Sequence, residues 1–363
     1  MDLKTTISGI EFKNPLLPAS GPLVGDQEKM KELHDLGVGG MVSKTISLEG
    51  ANVPRPCIQS GKNYITNTEL WSEYPLDKWK NEILPGVKSE QNIPLLISMG
   101  YTKEDMEGLV THLDPFADAF EVSTHYVGKD LSVIKETVKT IRSLTDKPFF
   151  MKVSPHMPDP VAFCEMVLEN GGNGIVAINS LGPAMSIDLN TRSTSMGNNQ
   201  GEVWMSGPAI KPIALAFVSK IKRAIPECEI IGVGGIRTAD DVLEFLLAGA
   251  SAVQMLSSAM LYGVDLYKKI VDDLPGRLKH YGFKSIQDVI DTNLIIPKVE
   301  YNKYSPTIDQ ETCILCNRCV NICPYRALSN IDKKIILSED KCFGCSLCQT
   351  ICPKDSIVCQ PKM

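Results

Sequence analysis

The feature that most constrains this chain is a cysteine pattern written twice near its C-terminus. The first run is Cys313-x-x-Cys316-x-x-Cys319-x-x-x-Cys323-Pro324, and the second is Cys342-x-x-Cys345-x-x-Cys348-x-x-x-Cys352-Pro353. Three thiolates at two-residue gaps can hold three corners of one iron–sulfur cube, and the fourth cysteine of such a run reaches across to the other cube. The spacing therefore assigns Cys313, Cys316, Cys319 and Cys352 to one [4Fe–4S] cluster. Cys342, Cys345, Cys348 and Cys323 fall to a second. A disulfide framework suits small secreted chains. Structural zinc favours paired C-x-x-C modules over tandem triples closed by Cys-Pro. A segment of this kind moves single electrons, so the rest of the chain is read for what supplies or receives them.

The chain has 363 residues, enough for a full core and more than one domain. Its 37 basic and 43 acidic residues give a net charge of −6. No dense basic patch occurs, which argues against nucleic acid as a partner. No apolar run approaches the ~18 residues of a membrane span, and the N-terminus lacks the features of a signal peptide. The expected compartment is the cytoplasm, where thiols stay reduced. Of the twelve cysteines, eight lie in the two runs. Cys164 sits in a helical pattern and is expected in the core, since free cysteine packs as a small hydrophobe.

Upstream, short apolar runs alternate with amphipathic stretches. The runs cover 15–20, 40–44, 94–99, 118–123, 148–153, 174–179, 229–233 and 252–255. Each reads as a strand buried on both faces, as in a parallel sheet. Helix signals fall between them. The pattern over 26–36 ends at Gly37, Asp159-Pro160 opens a helix that Gly171-Gly172 closes, and Thr238-Ala-Asp-Asp241 has the form of a capping box. Eight β-then-α units predict an α/β chain folded as a (β/α)₈ TIM barrel over residues 1–290. A connector follows over 291–307, then a small ferredoxin-like domain over 308–363. The alternative for the first domain is an open doubly wound sheet. Gly232-Val-Gly234-Gly235-Ile-Arg237 ends on Arg where a dinucleotide fingerprint needs Gly or Ala. Two long inserts, 47–93 and 181–204, leave C-terminal strand ends, and the first is expected to be partly helical from about Leu76.

Barrel chemistry sits at those strand ends. Gly234-Gly235 and Ser257-Ser258 end strands seven and eight, where barrels commonly bind phosphate, because bare backbone N–H groups can approach an anion there. Lys44 and Lys152 place two cations at the mouth. The iron–sulfur tail selects among phosphorylated cofactors: clusters pass one electron at a time, most metabolites react by two, and a flavin does both.

The stretches Asn14-Pro-Leu-Leu-Pro-Ala-Ser-Gly21, Val42-Ser-Lys44-Thr45, Lys152-Val-Ser-Pro155, Ala177-Ile-Asn179-Ser180, Ser206-Gly-Pro-Ala-Ile-Lys-Pro-Ile-Ala-Leu215, Ile230-Ile-Gly-Val-Gly-Gly-Ile236 and Ala248-Gly-Ala-Ser-Ala-Val-Gln254 resemble the dihydroorotate dehydrogenase family. Within it, the dihydropyrimidine dehydrogenase type also ends in a two-cluster ferredoxin domain. The resemblance implies an FMN barrel that oxidises or reduces a C–C bond beside a carbonyl. By position it implies an FMN shell of Ala19, Ser20, Gly21, Lys44, Thr45, Lys152, Asn179, Ser206, Gly207, Gly234, Gly235, Ser257 and Ser258. Asn179, Ser180 and Asn67 would face substrate. A homodimer is the assembly that the resemblance suggests.

The departures bear on the substrate. Where the family carries Asn-x-Ser-Cys-Pro-Asn after strand four, with Cys or Ser as acid/base, this chain reads Glu121-Val-Ser123-Thr124-His125-Tyr126-Val-Gly128. Anchoring on the acidic residue puts Tyr126 at the Cys position, and anchoring on Ser123 puts Thr124 there. Tyr126, His125 and Thr124 are therefore the candidates for delivering a proton. The insert after strand two is altered as well, with Thr66-Asn67-Thr68-Glu69. The expected activity is that of an FMN and iron–sulfur oxidoreductase acting on an activated C=C or its saturated form. The partner would be a ferredoxin or an NAD(P)H-oxidising flavoprotein. Two alternatives stay open: a dihydropyrimidine or dihydroorotate dehydrogenase subunit proper, and a non-catalytic electron-transfer subunit.

Overall fold

All eight apolar runs contain a strand in the structure, a computed structural model that describes residues 1–100, 102–124, 128–298 and 304–359. They are β1 (Leu16–Pro18), β2 (Met41–Val42), β3 (Leu95–Met99), β4 (Ala119–Ser123), β5 (Phe149–Val153), β6 (Gly174–Ala177), β7 (Glu229–Val233) and β8 (Ala252–Met255). Every neighbouring pair is parallel, in the order β1-β8-β7-β6-β5-β4-β3-β2. The Gly39 N–H donates to the Leu16 carbonyl at 2.8 Å across the remaining seam. A Cβ at Gly39 would overlap the Asn14 carbonyl, so only glycine permits that approach. The chain is thus a TIM barrel and not an open doubly wound sheet. Strands β3, β4 and β5 are buried along their whole length, which explains their unbroken apolar runs.

The helices between strands start where their caps direct. Asp26 accepts from the Lys29 N–H ahead of Gln27–Asp35, and Asp159 accepts from Val161 and Ala162 N–H ahead of Pro160–Glu169. Thr238 and Asp241 form the reciprocal capping box of Ala239–Leu247. An N-terminal hairpin, Thr5–Ile7 with Ile10–Phe12, brings Ile7 and Phe12 into the barrel's interior cluster with Leu17, Leu96, Phe150 and Ile231. Cys164 is buried in the core, against Cys228 at 3.0 Å between sulfurs.

The inserts are more ordered than their composition suggests. The first runs helically through Leu76–Lys78, a π turn at Trp79–Ile83 and Leu84–Glu90. The Trp79 Nε1–H donates to Ser72 Oγ at 2.8 Å within the insert, and the fully buried Trp79 ring anchors the insert in the core. Four short strands from both inserts, Ile58–Ser60, Ile65–Asn67, Leu181–Ala184 and Val203–Ser206, join in one antiparallel sheet. Trp204 lies opposite Asn67 in that sheet, so segments far apart in sequence are pinned together beside the mouth.

The chain divides into two compact units, Met1–Leu294 and Ile295–Met363. The second contains Thr307–Ile308 paired with Ile357–Val358, a hairpin of Leu328–Ile331 with Lys334–Leu337, and short helices at Arg318–Ile322 and Leu347–Thr350. Its backbone repeats as its cysteines do. Leu315 and Gly344, Asn317 and Ser346, and Arg326 and Asp355 occupy matching places in the two runs, and all have positive φ. Left-handed residues on either side of Cys316 and Cys345 curl each loop upon itself.

Candidate active site and cysteine cradles

The C-terminal strand ends surround a cleft lined by Ala19, Ser20 and Gly21 after β1, Lys44 and Thr45 after β2, and Lys152 on β5. Asn179 and Ser180 join from β6, Ser206 and Gly207 from the second insert, Gly234 and Gly235 from β7, and Ser257 and Ser258 from β8. Asn67 lines it from the insert sheet. The structure therefore gathers all the positions proposed from sequence for flavin and substrate, apart from the acid/base candidates. The wall is tied by hydroxyls: Ser20 Oγ lies 3.0 Å from Thr45 Oγ1, Thr45 Oγ1 lies 2.9 Å from Ser98 Oγ, and Ser206 Oγ lies 2.7 Å from Ser257 Oγ. Gly234 and Gly235 have φ of 129° and 88°, and a Cβ on Gly235 would sit 2.7 Å from the Lys211 Cβ. That bend leaves backbone exposed at the cleft wall.

Three polar atoms on this wall, Asn179 Nδ2, Gln254 Oε1 and Ser258 Oγ, are buried without a hydrogen-bond partner. Buried polar groups are ordinarily satisfied, so unpaired donors and acceptors round one cleft point to a polar ligand that completes them. The residues present fit a phosphorylated flavin: a glycine-lined turn, hydroxyls near it, and unsatisfied amides deeper in.

The two lysines expected at the mouth do line the cleft, and each is paired with a carboxylate. Lys44 Nζ lies 2.7 Å from Glu69 Oε1, and Lys152 Nζ lies 3.0 Å from Glu121 Oε1. Glu121 is completely buried on β4, and its other oxygen accepts from Gln254 Nε2 at 2.6 Å. Both cations are buried, and a buried charge needs a partner. Glu121 and Gln254 carry a signal the sequence reading left unused: each is a polar residue inside an otherwise apolar strand. Cys57, whose carbonyl accepts from the Thr68 N–H at 2.8 Å, keeps its proton: burial, and then the Glu69 carboxylate, raise its pKa.

Of the acid/base candidates, His125 and Tyr126 lie outside the described residues. Thr124 is fully buried and is not among the cleft-lining residues, whereas Ser123 lines the cleft. His156 stands beside it, where its Nε2 accepts from the Gly182 N–H at 3.3 Å.

In the second unit, Cys313, Cys316, Cys319 and Cys352 line one cavity with Pro353, and Cys342, Cys345, Cys348 and Cys323 line another with Pro324. The crossed grouping read from the spacing is the grouping that the fold brings together. At Cys348, burial and the neighbouring Cys359 push the thiol pKa up to about 12. At Cys352 burial opposes ionisation, yet hydrogen bonds from Lys354 and Ser356 outweigh it and lower the pKa. Among the described residues, no helix is long and apolar enough to cross a membrane.

Comparison with known proteins matches residues 2–278 to the dihydroorotate dehydrogenase family model and residues 312–356 to a 4Fe-4S dicluster domain. A dihydroorotate dehydrogenase B (NAD(+)) catalytic subunit from Pyrococcus horikoshii is 33% identical over 306 residues, covering 79% of this chain and 96% of the relative. The NAD-dependent dihydropyrimidine dehydrogenase subunit PreA of Escherichia coli is 31% identical over 359 residues, covering 89% of this chain and 85% of its own length. A dihydroorotate dehydrogenase A (fumarate) from Lactobacillus helveticus is 31% identical and matches 78% of this chain.

Proposed function

This chain belongs to the dihydroorotate dehydrogenase family, and we propose that it reduces or oxidises a C=C/CH–CH bond next to a carbonyl, using FMN and two [4Fe–4S] clusters. The observation that carries the reading is the set of unpartnered buried atoms, Asn179 Nδ2, Gln254 Oε1 and Ser258 Oγ, on the one cleft that also holds the left-handed turn at Gly234 and Gly235. FMN, when bound, supplies hydride exchange with a carbon atom, and the clusters supply single-electron exchange.

The chain's own residues do the rest. Backbone N–H groups at Gly234 and Gly235, with the Ser257 and Ser258 hydroxyls, would hold the phosphate. Lys152, fixed by Glu121, and Lys44, fixed by Glu69, would help to hold the flavin or the substrate beside it. The Asn179 amide donates to the substrate carbonyl and aligns the neighbouring carbons. A proton is delivered from the segment after β4, where Tyr126 and His125 are the donors we assign. Thr124 is set aside as donor because it is fully buried and is not among the residues lining the cleft. Electrons leave or arrive through an external ferredoxin or an NAD(P)H-oxidising flavoprotein, since the sequence holds no dinucleotide fingerprint. The protein is assigned to the cytoplasm, in keeping with its clusters and reduced thiols.

The test is anaerobic. The reduced protein is mixed with a panel of enones, enoates, enamides and pyrimidines, and flavin absorbance is followed. Reoxidation by members of the panel, slowed in Tyr126→Phe or His125→Ala, is the expected result. Silence across the panel with flavin and iron both present overturns the reading in favour of an electron-transfer subunit. The dihydropyrimidine reading is favoured by one finding, that the match to the Escherichia coli subunit spans barrel and tail together. Rapid reoxidation by uracil or thymine would select it.

A further inference from the structure

Beside the flavin cleft, and sharing Asn67, Glu69, Leu70, Trp71, Asn179 and Ser180 with it, lies a second cavity of about 770 Å³. It is toward the upper end of the roughly 300–1,000 Å³ typical of sites for drug-sized ligands, and well beyond the needs of a single six-membered ring. Its walls are chiefly apolar: Pro54, Leu70, Trp71, Pro183 and Trp204. Leu70, 50% exposed, presents its side chain on this wall beside Trp71.

Two glycines make room for the indoles. A Cβ on Gly182 would meet Trp204 Cδ1 at 2.7 Å, and a Cβ on Gly100 would meet the far edge of Trp71 at 2.8 Å. The Trp204 backbone is held in turn, because its carbonyl accepts from Asn67 Nδ2 at 3.3 Å. Two buried polar atoms on residues lining this cavity, Thr68 Oγ1 and Asn179 Nδ2, have no partner. They are placed to bind an uncharged carbonyl or amide.

Charge narrows the ligand further. Among the described residues lining the cleft and the cavity, Lys44 and Lys152 are both paired with carboxylates, at 2.7 Å and 3.0 Å. His156 is committed as well, its Nε2 accepting from the Gly182 N–H at 3.3 Å. Among these described residues an anionic substrate therefore finds no uncommitted cation to compensate its desolvated charge.

We propose that this cavity binds a bulky apolar substituent, aryl or branched alkyl, of a neutral α,β-unsaturated carbonyl substrate whose carbonyl is held at Asn179. The proposal rests on the reading of the adjoining cleft as the site of C=C chemistry, and it goes beyond that reading by naming the substrate class. A small anionic ring compound would leave most of the cavity empty.

The experiment is calorimetric titration of the full-length holoprotein with trans-cinnamamide, crotonamide and trans-cinnamate. Cinnamamide should bind at least about tenfold more tightly than crotonamide, from the extra apolar surface buried, and at least about tenfold more tightly than cinnamate. Trp204→Ala should erase most of the preference for the aryl group, and Trp204→Phe should keep it. Leu70→Ser, an exposed change, should lower the cinnamamide-to-crotonamide affinity ratio several-fold, and it serves where Trp204→Ala fails to fold. Equal affinities for the two amides, or a preference that survives both Trp204→Ala and Leu70→Ser, overturns the proposal. So does tighter binding of cinnamate than of cinnamamide. Flavin reoxidation separates the two levels. Selective binding without reoxidation defeats the redox reading and leaves the cavity's role standing, whereas reoxidation with equal affinities does the reverse.

Discussion

The barrel and the cysteine-rich tail reach a functional site by opposite routes. In the barrel, a core of fully buried side chains from Leu16 to Val289 comes first, and the cleft is an exception carved at one rim. In the tail, the apolar core is little more than Leu328, Ile335 and Ile357 with Cys319 and Cys359. So small a core seldom holds a fold without a metal, cluster or disulfide staple. The lesson is that the barrel supports its site, whereas the tail is supported by what its site binds.

The contrast can be broken most severely at the cysteines. Cys316→Ala or Cys345→Ala should remove about half of the protein's iron or more, because metal binding is folding energy in a domain of this kind. The barrel should keep its flavin and its thermal transition. Iron analysis and the visible spectrum report the first, and flavin content the second. If flavin is lost as well, the two regions are not independently supported.

Next in size is the buried pair beneath the cleft. Glu121→Ala leaves Lys152 buried without a carboxylate and should cost about 3–5 kcal/mol, read as a shift of the barrel's urea midpoint. The tail's iron content should stay unchanged. A smaller effect is expected at Gly235→Ala, where the residue has φ of 88°. Left-handed backbone at a non-glycine residue costs about 1–2 kcal/mol, and crowding at Lys211 adds to it. Flavin affinity should fall about tenfold or more, since the altered turn is the one assigned to phosphate. Smallest is Thr238→Ala, which removes half of a capping box away from the cleft and should cost about 1 kcal/mol with no change in flavin affinity. A flavin effect from that change would mean that the barrel does not buffer its site from its helices.

How much could be read beforehand follows the same division. The tail's ligand grouping was legible because cluster spacing dictates both chemistry and chain path, and the cavities round Cys352 and Cys323 repeat it. The eight strands were legible because burial on both faces leaves unbroken apolar runs, as at Phe149–Val153. The insert sheet was not. Its strands, such as Ile58–Ser60 and Val203–Ser206, are too short to show alternation, and their pairing joins segments far apart in sequence. The carboxylate partners of Lys44 and Lys152 were hidden for a related reason. Glu69 belongs to that unread insert, and Glu121 looked like a sequence anchor for the acid/base and not a counter-ion. The acid/base proposed at His125 and Tyr126 lies outside the described residues, so mutagenesis decides it.

Amide hydrogen exchange of the holoprotein, before and after oxidative removal of the clusters with a chelator, tests the central claim most directly. The account predicts that protection over 304–359 collapses, while protection over the barrel strands and the flavin content stay as they were. Persistent protection in the tail after the iron is gone, or loss of protection in β3 to β5 with it, would contradict the account.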